Sequence, residues 1–210
     1  MKITATLTVI AAAALASAAS AAGPTLTLSP SPPTVVYGKS VTLSGALTPA
    51  KANQQITVQA LACGTTKAVT VARVKTAASG TYATTATPTV DTSYVASQKA
   101  TKSATIMVTV KPLLSLKRVK RGSFTATVTA GTDLKGKKLL FQRYAKLRKR
   151  WVQVKKVTLT TSAPGPTKPT VIASASFKAK VARRARVRLS LTKAQAAPCY
   201  VAALSNVVRN

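Results

Sequence analysis

The sequence predicts an all-β protein built as antiparallel sandwiches or barrels, and two observations lead to this fold class. Thr, Val and Ile make up 60 of the 210 residues, and such β-branched side chains suit a pleated sheet better than a helix. Segments in which apolar and polar residues alternate recur about every ten residues, separated by breaks that contain Gly or Pro. No segment carries the sustained apolar stripe of period 3.6 that indicates a helix.

Individual strands are recognised by this alternation, because a period of two places one face of a strand in the core and the other in solvent. Three strands are the clearest. Their inward-facing residues are Val41, Leu43 and Leu47 in the first, Ile56, Val58 and Ala60 in the second, and Phe124, Ala126, Val128 and Ala130 in the third.

An internal repeat organises the chain. A shift of 83 positions aligns residues 40–76 with residues 123–159 without a gap. The spacing Val-x-Val-x-x-Val occurs in both copies, at Val69, Val71 and Val74 and at Val152, Val154 and Val157. A break in alternation at the same place in both copies indicates a shared β-bulge. We therefore expect two tandem copies of one fold, residues 24–110 and 112–210, each of ordinary domain size.

Residues 1–22 have the layout of a secretory signal peptide. Lys2 supplies a positive charge, an apolar stretch covers residues 3–16, and small residues follow. The apolar stretch is shorter than the roughly 20 residues that a bilayer span needs, so we expect cleavage after Ala21 or Ala22 and not a retained anchor. The mature chain is then expected to be secreted, extracellular or in the cell envelope, with no transmembrane segment.

Short motifs in both copies are shared with a known class of domains. In the first copy they are Tyr37-Gly38 ahead of Val41, the strand at Gly45, and the segments "QALACG", "SGTY" and "TSYVA"; in the second they are "FQR", "RWVQVKKVTL" and "YVAALSNVV". With these motifs the chain resembles the tandem immunoglobulin-like, fibronectin-like domains of secreted bacterial envelope proteins. The resemblance implies two tandem immunoglobulin-like antiparallel β-sandwiches after the signal peptide, and a non-enzymatic surface or spacer module.

Residues for catalysis are scarce. The chain has no His, and its only carboxylates are Asp91 and Asp133. General acid–base pairs, His-ordered triads and carboxylate metal sites therefore lack their components, and a Ser or Thr nucleophile would lack a base. We predict that the protein is not an enzyme and uses no cofactor, no metal and no small-molecule substrate. An unusual enzyme whose acids come from a cofactor or partner is the remaining catalytic alternative.

The charge is large and uneven. With 32 basic and 2 acidic residues the net charge is +30, and residues 111–210 hold 24 of the basic ones. Two acids cannot neutralise this field, so external anions must compensate it. The densest cluster falls on the hairpin that repeats the Cys63 turn, where basic residues surround Tyr144. The candidate polyanion-binding residues there are Arg143, Lys146, Arg148, Lys149, Arg150, Trp151, Lys155 and Lys156. The alternative is a solvated turn with Trp151 in the core or at an edge.

A second basic set follows along the chain, and it contains Lys178, Lys180, Arg183, Arg184, Arg186 and Arg188. Four of these residues alternate with apolar neighbours on two predicted consecutive strands, and are therefore expected to point to solvent. They are Lys178 and Lys180 on the first strand and Arg186 and Arg188 on the second. If the two strands form a hairpin, the four share one face. If the chain crosses between sheets, they divide between opposite faces. The sequence leaves both arrangements open.

The leading functional hypothesis is a secreted envelope or extracellular interaction module whose basic second domain has affinity for anionic cell-wall or extracellular polymers. The competing hypothesis is a passive spacer without a specific ligand, in which the charge serves only solubility and retention. The chain has no recognised nucleic-acid-binding motif, and export separates it from its own genome. Extracellular DNA stays an alternative ligand on charge alone.

The two cysteines, Cys63 and Cys199, fall one in each copy, and an oxidising compartment permits a disulfide. Two cysteines without nearby His or acids do not make a zinc site. Three arrangements are open: a bond between Cys63 and Cys199, a bond between two molecules, and two free thiols. We predict the first, which requires the copies to bring the two Cα atoms within about 4.4–6.8 Å.

Overall fold

Four β-sheets and one short helix make up the regular structure of residues 23–210, the part of the chain that this computed structural model describes. The all-β prediction is confirmed. The predicted signal peptide, residues 1–22, lies outside the described residues. Among residues 23–210, no helix is long and apolar enough to cross a membrane.

The first sandwich comprises strands β1 to β10. Their bounds are β1 (Thr25–Leu26), β2 (Ser29–Ser31), β3 (Thr34–Val36), β4 (Val41–Thr48), β5 (Gln55–Ala62), β6 (Val69–Lys75), β7 (Thr81–Ala86), β8 (Thr92–Gln98), β9 (Thr101–Lys102) and β10 (Ile106–Lys111). In one sheet, β4 pairs with β1, β2 and β7. The other has the order β3–β10–β8–β5–β6, with β9 also on β8, and its β3–β10 pair is parallel while the other pairs are antiparallel.

The second sandwich comprises strands β11 to β19 and helix α1. Their bounds are β11 (Leu113–Lys120), β12 (Ser123–Ala130), β13 (Lys138–Ala145), β14 (Arg150–Thr158), β15 (Thr161–Pro164), β16 (Val171–Lys178), β17 (Arg186–Leu191), α1 (Lys193–Ala196), β18 (Ala203–Leu204) and β19 (Val208–Arg209). One sheet has the order β11–β12–β16–β15 and the other β14–β13–β17–β18, with β19 also on β17. Because the first two strands share a sheet with β15 and β16 while β13 neighbours β17, this is the Greek-key order of an immunoglobulin-like sandwich.

The repeat is visible in the strands and in their irregularities. Strand β5 shifted by 83 positions coincides with β13. The pairing of β5 with β6 slips between Val58 and Gln59, and the pairing of β13 with β14 slips between Phe141 and Gln142, at the equivalent position. The predicted shared bulge is therefore present, and its extra residue is Val71 in one copy and Val154 in the other.

The core follows the predicted alternation. All the residues predicted to face inward on the three clearest strands are buried. In the second sandwich the core is centred on three rings, since Phe124 and Phe141 lie 5.0 Å apart and Phe177 lies 5.7 and 5.0 Å from them. Phe177 is on β16 and Phe141 on β13, so these contacts join the two sheets.

The two sandwiches meet at a short junction. Only Pro112 separates β10 from β11. Across the junction, the Asp91 amide donates to the Cys199 carbonyl at 2.9 Å and the Val201 amide donates to the Val110 carbonyl at 3.0 Å. The Asp91 carboxylate accepts a hydrogen bond from the Val110 amide at 2.6 Å, which holds the end of β10 in place.

Further contacts at the junction come from loops of both sandwiches. The Tyr37 hydroxyl and the Thr170 hydroxyl are 2.9 Å apart. The backbone at Gly131 approaches the first sandwich so closely that a Cβ there would lie 2.8 Å from the Thr89 carbonyl oxygen. A larger residue at position 131 would therefore push the two sandwiches apart.

A disulfide between Cys63 and Cys199 closes the junction. The Cα atoms are 5.4 Å apart across 136 residues of sequence, so the structure has the first of the three cysteine arrangements. The Cys63 amide donates to the Asp91 carbonyl at 2.8 Å. Asp91 thus bonds through its backbone to both half-cystines and through its side chain to β10.

Replacing both cysteines with Ala is expected to lower the free energy of unfolding by about 5 kcal/mol, because a crosslink over so long a loop strongly restricts the unfolded chain in the chain-entropy model. Denaturant unfolding of the parent and the double variant measures the difference. Thiol titration in denaturant is the control on the bond itself. Two titratable thiols in the oxidised parent, or equal stability of parent and variant, would contradict this prediction.

Tyr82 provides a polar anchor in the first sandwich. It is buried on β7, and its hydroxyl donates to the Thr27 carbonyl. Burial raises the pKa of the Tyr82 phenol to about 12. The unfolded chain ionises this phenol near pH 10, so its contribution to stability is complete below pH 10 and is lost as the pH rises towards 12.

Tyr82→Phe is accordingly expected to change the alkaline limb of the stability profile. At pH 8 the variant should be less stable by about 1 kcal/mol, the net contribution of one hydrogen bond. Between pH 10 and 12 the parent loses stability through ionisation of unfolded Tyr82 and the variant does not, so the gap should close. Urea unfolding of parent and variant over this pH range measures the difference in stability. A difference that does not change with pH would contradict the raised pKa of Tyr82.

Candidate functional site

The predicted polyanion-binding residues all lie on the hairpin of β13 and β14, including the turn at residues 146–149. Every basic residue among them is exposed, and Trp151 is half-buried. The Lys149 amide donates to the Lys146 carbonyl at 3.2 Å, which closes the turn. Leu147 at its apex is fully exposed. The turn therefore presents a dense group of cations to solvent.

An aromatic–arginine cluster lies on the outer face of this sheet, formed by Tyr144, Trp151, Arg186 and Arg188. Tyr144 and Trp151 are direct partners across the hairpin, with ring centroids 5.4 Å apart. The Arg188 guanidinium lies 4.2 Å from the Trp151 ring and its Nε donates to the Gln142 side-chain oxygen at 2.9 Å. The Arg186 guanidinium lies 5.1 Å from the Tyr144 ring. The rings thus hold two guanidinium groups in place.

The bulge at Val154 determines which lysines of β14 lie on the same face of the sheet as this cluster. Lys156 pairs with Leu140, on the same face as Trp151. Lys155 pairs with the buried Phe141, and its ammonium turns to donate to the Lys178 carbonyl at 3.1 Å. Of the two predicted lysines on this strand, only Lys156 therefore shares the face of the aromatic rings.

The second basic set divides between the sheets. Lys178 ends β16 in one sheet, whereas Arg186 and Arg188 are on β17 in the other. The chain crosses between sheets here, which is the second of the two arrangements that the sequence left open. In the sequence, Arg186 and Arg188 belong to a different basic set from the one that contains Trp151. The signal that could have joined them is the Greek-key order itself, in which β13 neighbours β17.

A groove separates the hairpin turn from the loop that joins β16 to β17, and we call it the hairpin groove. It has a volume of about 780 Å³. Its basic lining residues are Arg143, Lys146 and Arg148 from the hairpin and Arg183 and Arg184 from the loop. Two basic segments that are distant in sequence therefore face each other across one cleft.

The carboxylates are engaged elsewhere. Asp91 accepts from the Val110 amide at the junction, and Asp133 accepts from the Lys135 amide at 2.8 Å. Burial raises the pKa of Asp91, and the hydrogen bond from Val110 partly offsets that effect; the Lys135 amide lowers the pKa of Asp133. Within residues 23–210, no group of three or more His, Cys, Asp or Glu side chains is placed to hold a metal ion.

Partial burial lowers the pKa of the Arg188 guanidinium, but arginine starts so high that the group keeps its charge at neutral pH. Two positive charges, Arg186 and Arg188, are thus two residues apart on one face, beside the cations of the hairpin. The site as a whole can attract and orient anions through guanidinium forks and ammonium groups.

No protein-family model matches the chain, and no curated protein matches it. Among solved structures, the chain matches a marsupial T cell receptor with 9% sequence identity and a TM-score of 0.32. That match covers 90% of this chain and 100% of the receptor chain.

Because Trp151 is the only tryptophan, its fluorescence reports directly on the aromatic–arginine cluster. Arg188→Gln should expose the face of the indole ring, shift its emission to longer wavelength and increase quenching by acrylamide. Arg73→Gln, an exposed arginine of the first sandwich, is the control and should change neither quantity. Identical spectra and quenching for parent and Arg188→Gln would show that the guanidinium does not cover the ring.

Proposed function

We propose that this chain is a secreted, non-enzymatic interaction module. In this proposal residues 112–210 form the domain that binds anionic polymers of the cell wall or the extracellular space, and residues 24–110 form the domain that carries it. The observation that supports it most directly is the aromatic–arginine cluster beside the basic hairpin, a set of fixed guanidinium groups with no carboxylate among them.

Fixed guanidinium groups favour binding because less side-chain freedom is lost when they meet an anion. Arg188 is held by a ring and by Gln142, so its remaining N–H groups keep one orientation. The exposed ammonium and guanidinium groups of the turn add the long-range attraction that steers a polyanion towards the site. Displaced counterions then contribute to affinity as each phosphate or sulfate is neutralised.

The same geometry argues against a passive spacer. Placing Arg186, Arg188 and the cations of the turn close together costs electrostatic energy in the free protein, because like charges repel. A spacer gains nothing from this repulsion, whereas a bound polyanion relieves it. Solubility alone would be served equally well by cations dispersed over both sandwiches.

Replacing Lys146, Arg148, Lys149 and Arg150 together with Gln tests the proposal. Retention on polyphosphate resin and on isolated bacterial walls should weaken, and the slope of log K against log salt should become shallower by up to about 3, since four contacts are lost. The readout is retention across a salt series, on intact walls and on walls stripped of their phosphate polymers.

The matched control replaces Lys39, Lys51, Lys67 and Lys75 with Gln, which removes the same charge from exposed positions of the first sandwich. This control should lower retention only slightly. Equal losses of retention in the two variants would indicate a diffuse electrostatic field in place of a binding site. A parent protein that is not retained, or whose retention does not depend on salt, would support the hypothesis of a passive spacer.

A further inference from the structure

A second basic groove lies beside the first, and we call it the turn groove. It has a volume of about 960 Å³. Its cations are Lys120 and Arg121, at the turn from β11 to β12, Lys178, at the end of β16, and Lys180, in the loop from β16 to β17. None of these four residues belongs to the hairpin, and all four are exposed.

One loop forms a wall of both grooves. Ala182, in the loop from β16 to β17, lines the turn groove and the hairpin groove alike. Since the strands are antiparallel, the β11–β12, β13–β14 and β16–β17 connections all lie at the same end of the second sandwich. Cys199 lies at the opposite end, in the connection that follows β17. We call the end that carries both grooves the basic tip.

Asn210 holds the dividing loop in place. Its side chain is buried, and its Nδ2 donates to the Val181 carbonyl at 2.8 Å and the Ala182 carbonyl at 3.3 Å. Its Oδ1 accepts from the Gly122 amide at 2.9 Å, and its main-chain oxygen accepts from the Arg184 amide at 2.7 Å. One residue therefore ties the β11–β12 turn to the loop, and the wall that the two grooves share is held in place.

The crest between the grooves is formed by a small residue. Ala182 is exposed there and carries only a methyl group, with basic side chains on either side of it. A single anion would engage one groove and leave the cations of the other uncompensated. A linear polyanion that crosses the crest would neutralise both sets at once, and it would release counterions from both. Guanidinium groups in each groove, Arg121 in one and Arg148, Arg183 and Arg184 in the other, match the paired oxygens of phosphate.

We propose, in an inference that rests on the proposed function, that the ligand is a linear phosphate polymer. It lies across the basic tip, crosses the loop at Ala182 and occupies the turn groove and the hairpin groove together. The hairpin is then one half of the site. The turn groove is the other half, with Lys120, Arg121, Lys178 and Lys180 as its contact residues and Asn210 as a positioning residue.

The test compares three four-residue variants of the full chain against long polyphosphate and against inorganic triphosphate. The turn-groove variant carries Lys120→Gln, Arg121→Gln, Lys178→Gln and Lys180→Gln. The hairpin variant and the first-sandwich control are those of the preceding section, so each variant removes four positive charges. Titration followed by Trp151 fluorescence or calorimetry gives Kd at several salt concentrations, and denaturant unfolding verifies that each variant is folded.

For long polyphosphate, the turn-groove variant and the hairpin variant should each raise Kd at least tenfold at physiological salt and make the salt slope shallower by up to about 3. The control should change Kd much less. Triphosphate offers only three phosphates, fewer than the cations of the two grooves, so it should bind far more weakly and with a shallower salt slope than the polymer.

Three results would overturn this inference. A turn-groove variant that binds the polymer like the control, while the hairpin variant is weakened, would confine the ligand to the hairpin and leave the proposed function standing. Triphosphate binding as tightly as the polymer, with the same salt slope, would indicate a single-anion site. If all three variants bind the polymer as tightly as the parent, the proposed function is refuted as well.

Discussion

The imbalance between 32 basic and 2 acidic residues constrains the whole structure, because a buried cation needs a partner that this chain cannot supply. Within residues 23–210 every Lys and Arg is exposed except Lys137 and Arg188, which are half-buried. The cores are left to apolar and small side chains on alternating strand positions. Cations that cannot enter a core collect on outer faces and at turns, and the Greek-key order determines which of these turns become neighbours.

Asp91, one of the two acidic residues of the chain, stabilises the junction through hydrogen bonds to backbone groups. Asp91 accepts the Val110 amide through its side chain and bonds to Cys63 and Cys199 through its backbone. Its carboxylate therefore satisfies a buried backbone donor, and its main chain braces the disulfide. With one residue between β10 and β11, the junction depends on such direct contacts more than on the length or stiffness of a linker.

Features that depend on local periodicity could be predicted from the sequence, and features that depend on chain crossings could not. Alternation identified the buried faces of three strands, and the repeated Val-x-Val-x-x-Val spacing located the bulge at Val71 and Val154. The stacking of Arg188 on Trp151 joins residues on β17 and β14, which meet only because β13 lies between them. Likewise, one cysteine in each copy allowed three arrangements until the folded loops showed which residues come together.

The repeat also explains why one position in the fold has two uses. The turn after β5 and the turn after β13 are equivalent, yet one carries Cys63 and the other carries the basic cluster. In the first sandwich this turn lies at the end that meets the second sandwich, where it contributes to the junction. In the second sandwich the equivalent turn faces away from the first, into solvent. Cations there meet no neighbouring copy. At the Cys63 turn only position 63, the equivalent of Lys146, is half-buried, whereas Thr65, Thr66 and Lys67 are exposed. A charge at position 63 would be partly desolvated against the connection around Cys199. The difference between Cys63 and its equivalent Lys146 thus follows from the different surroundings of the two turns.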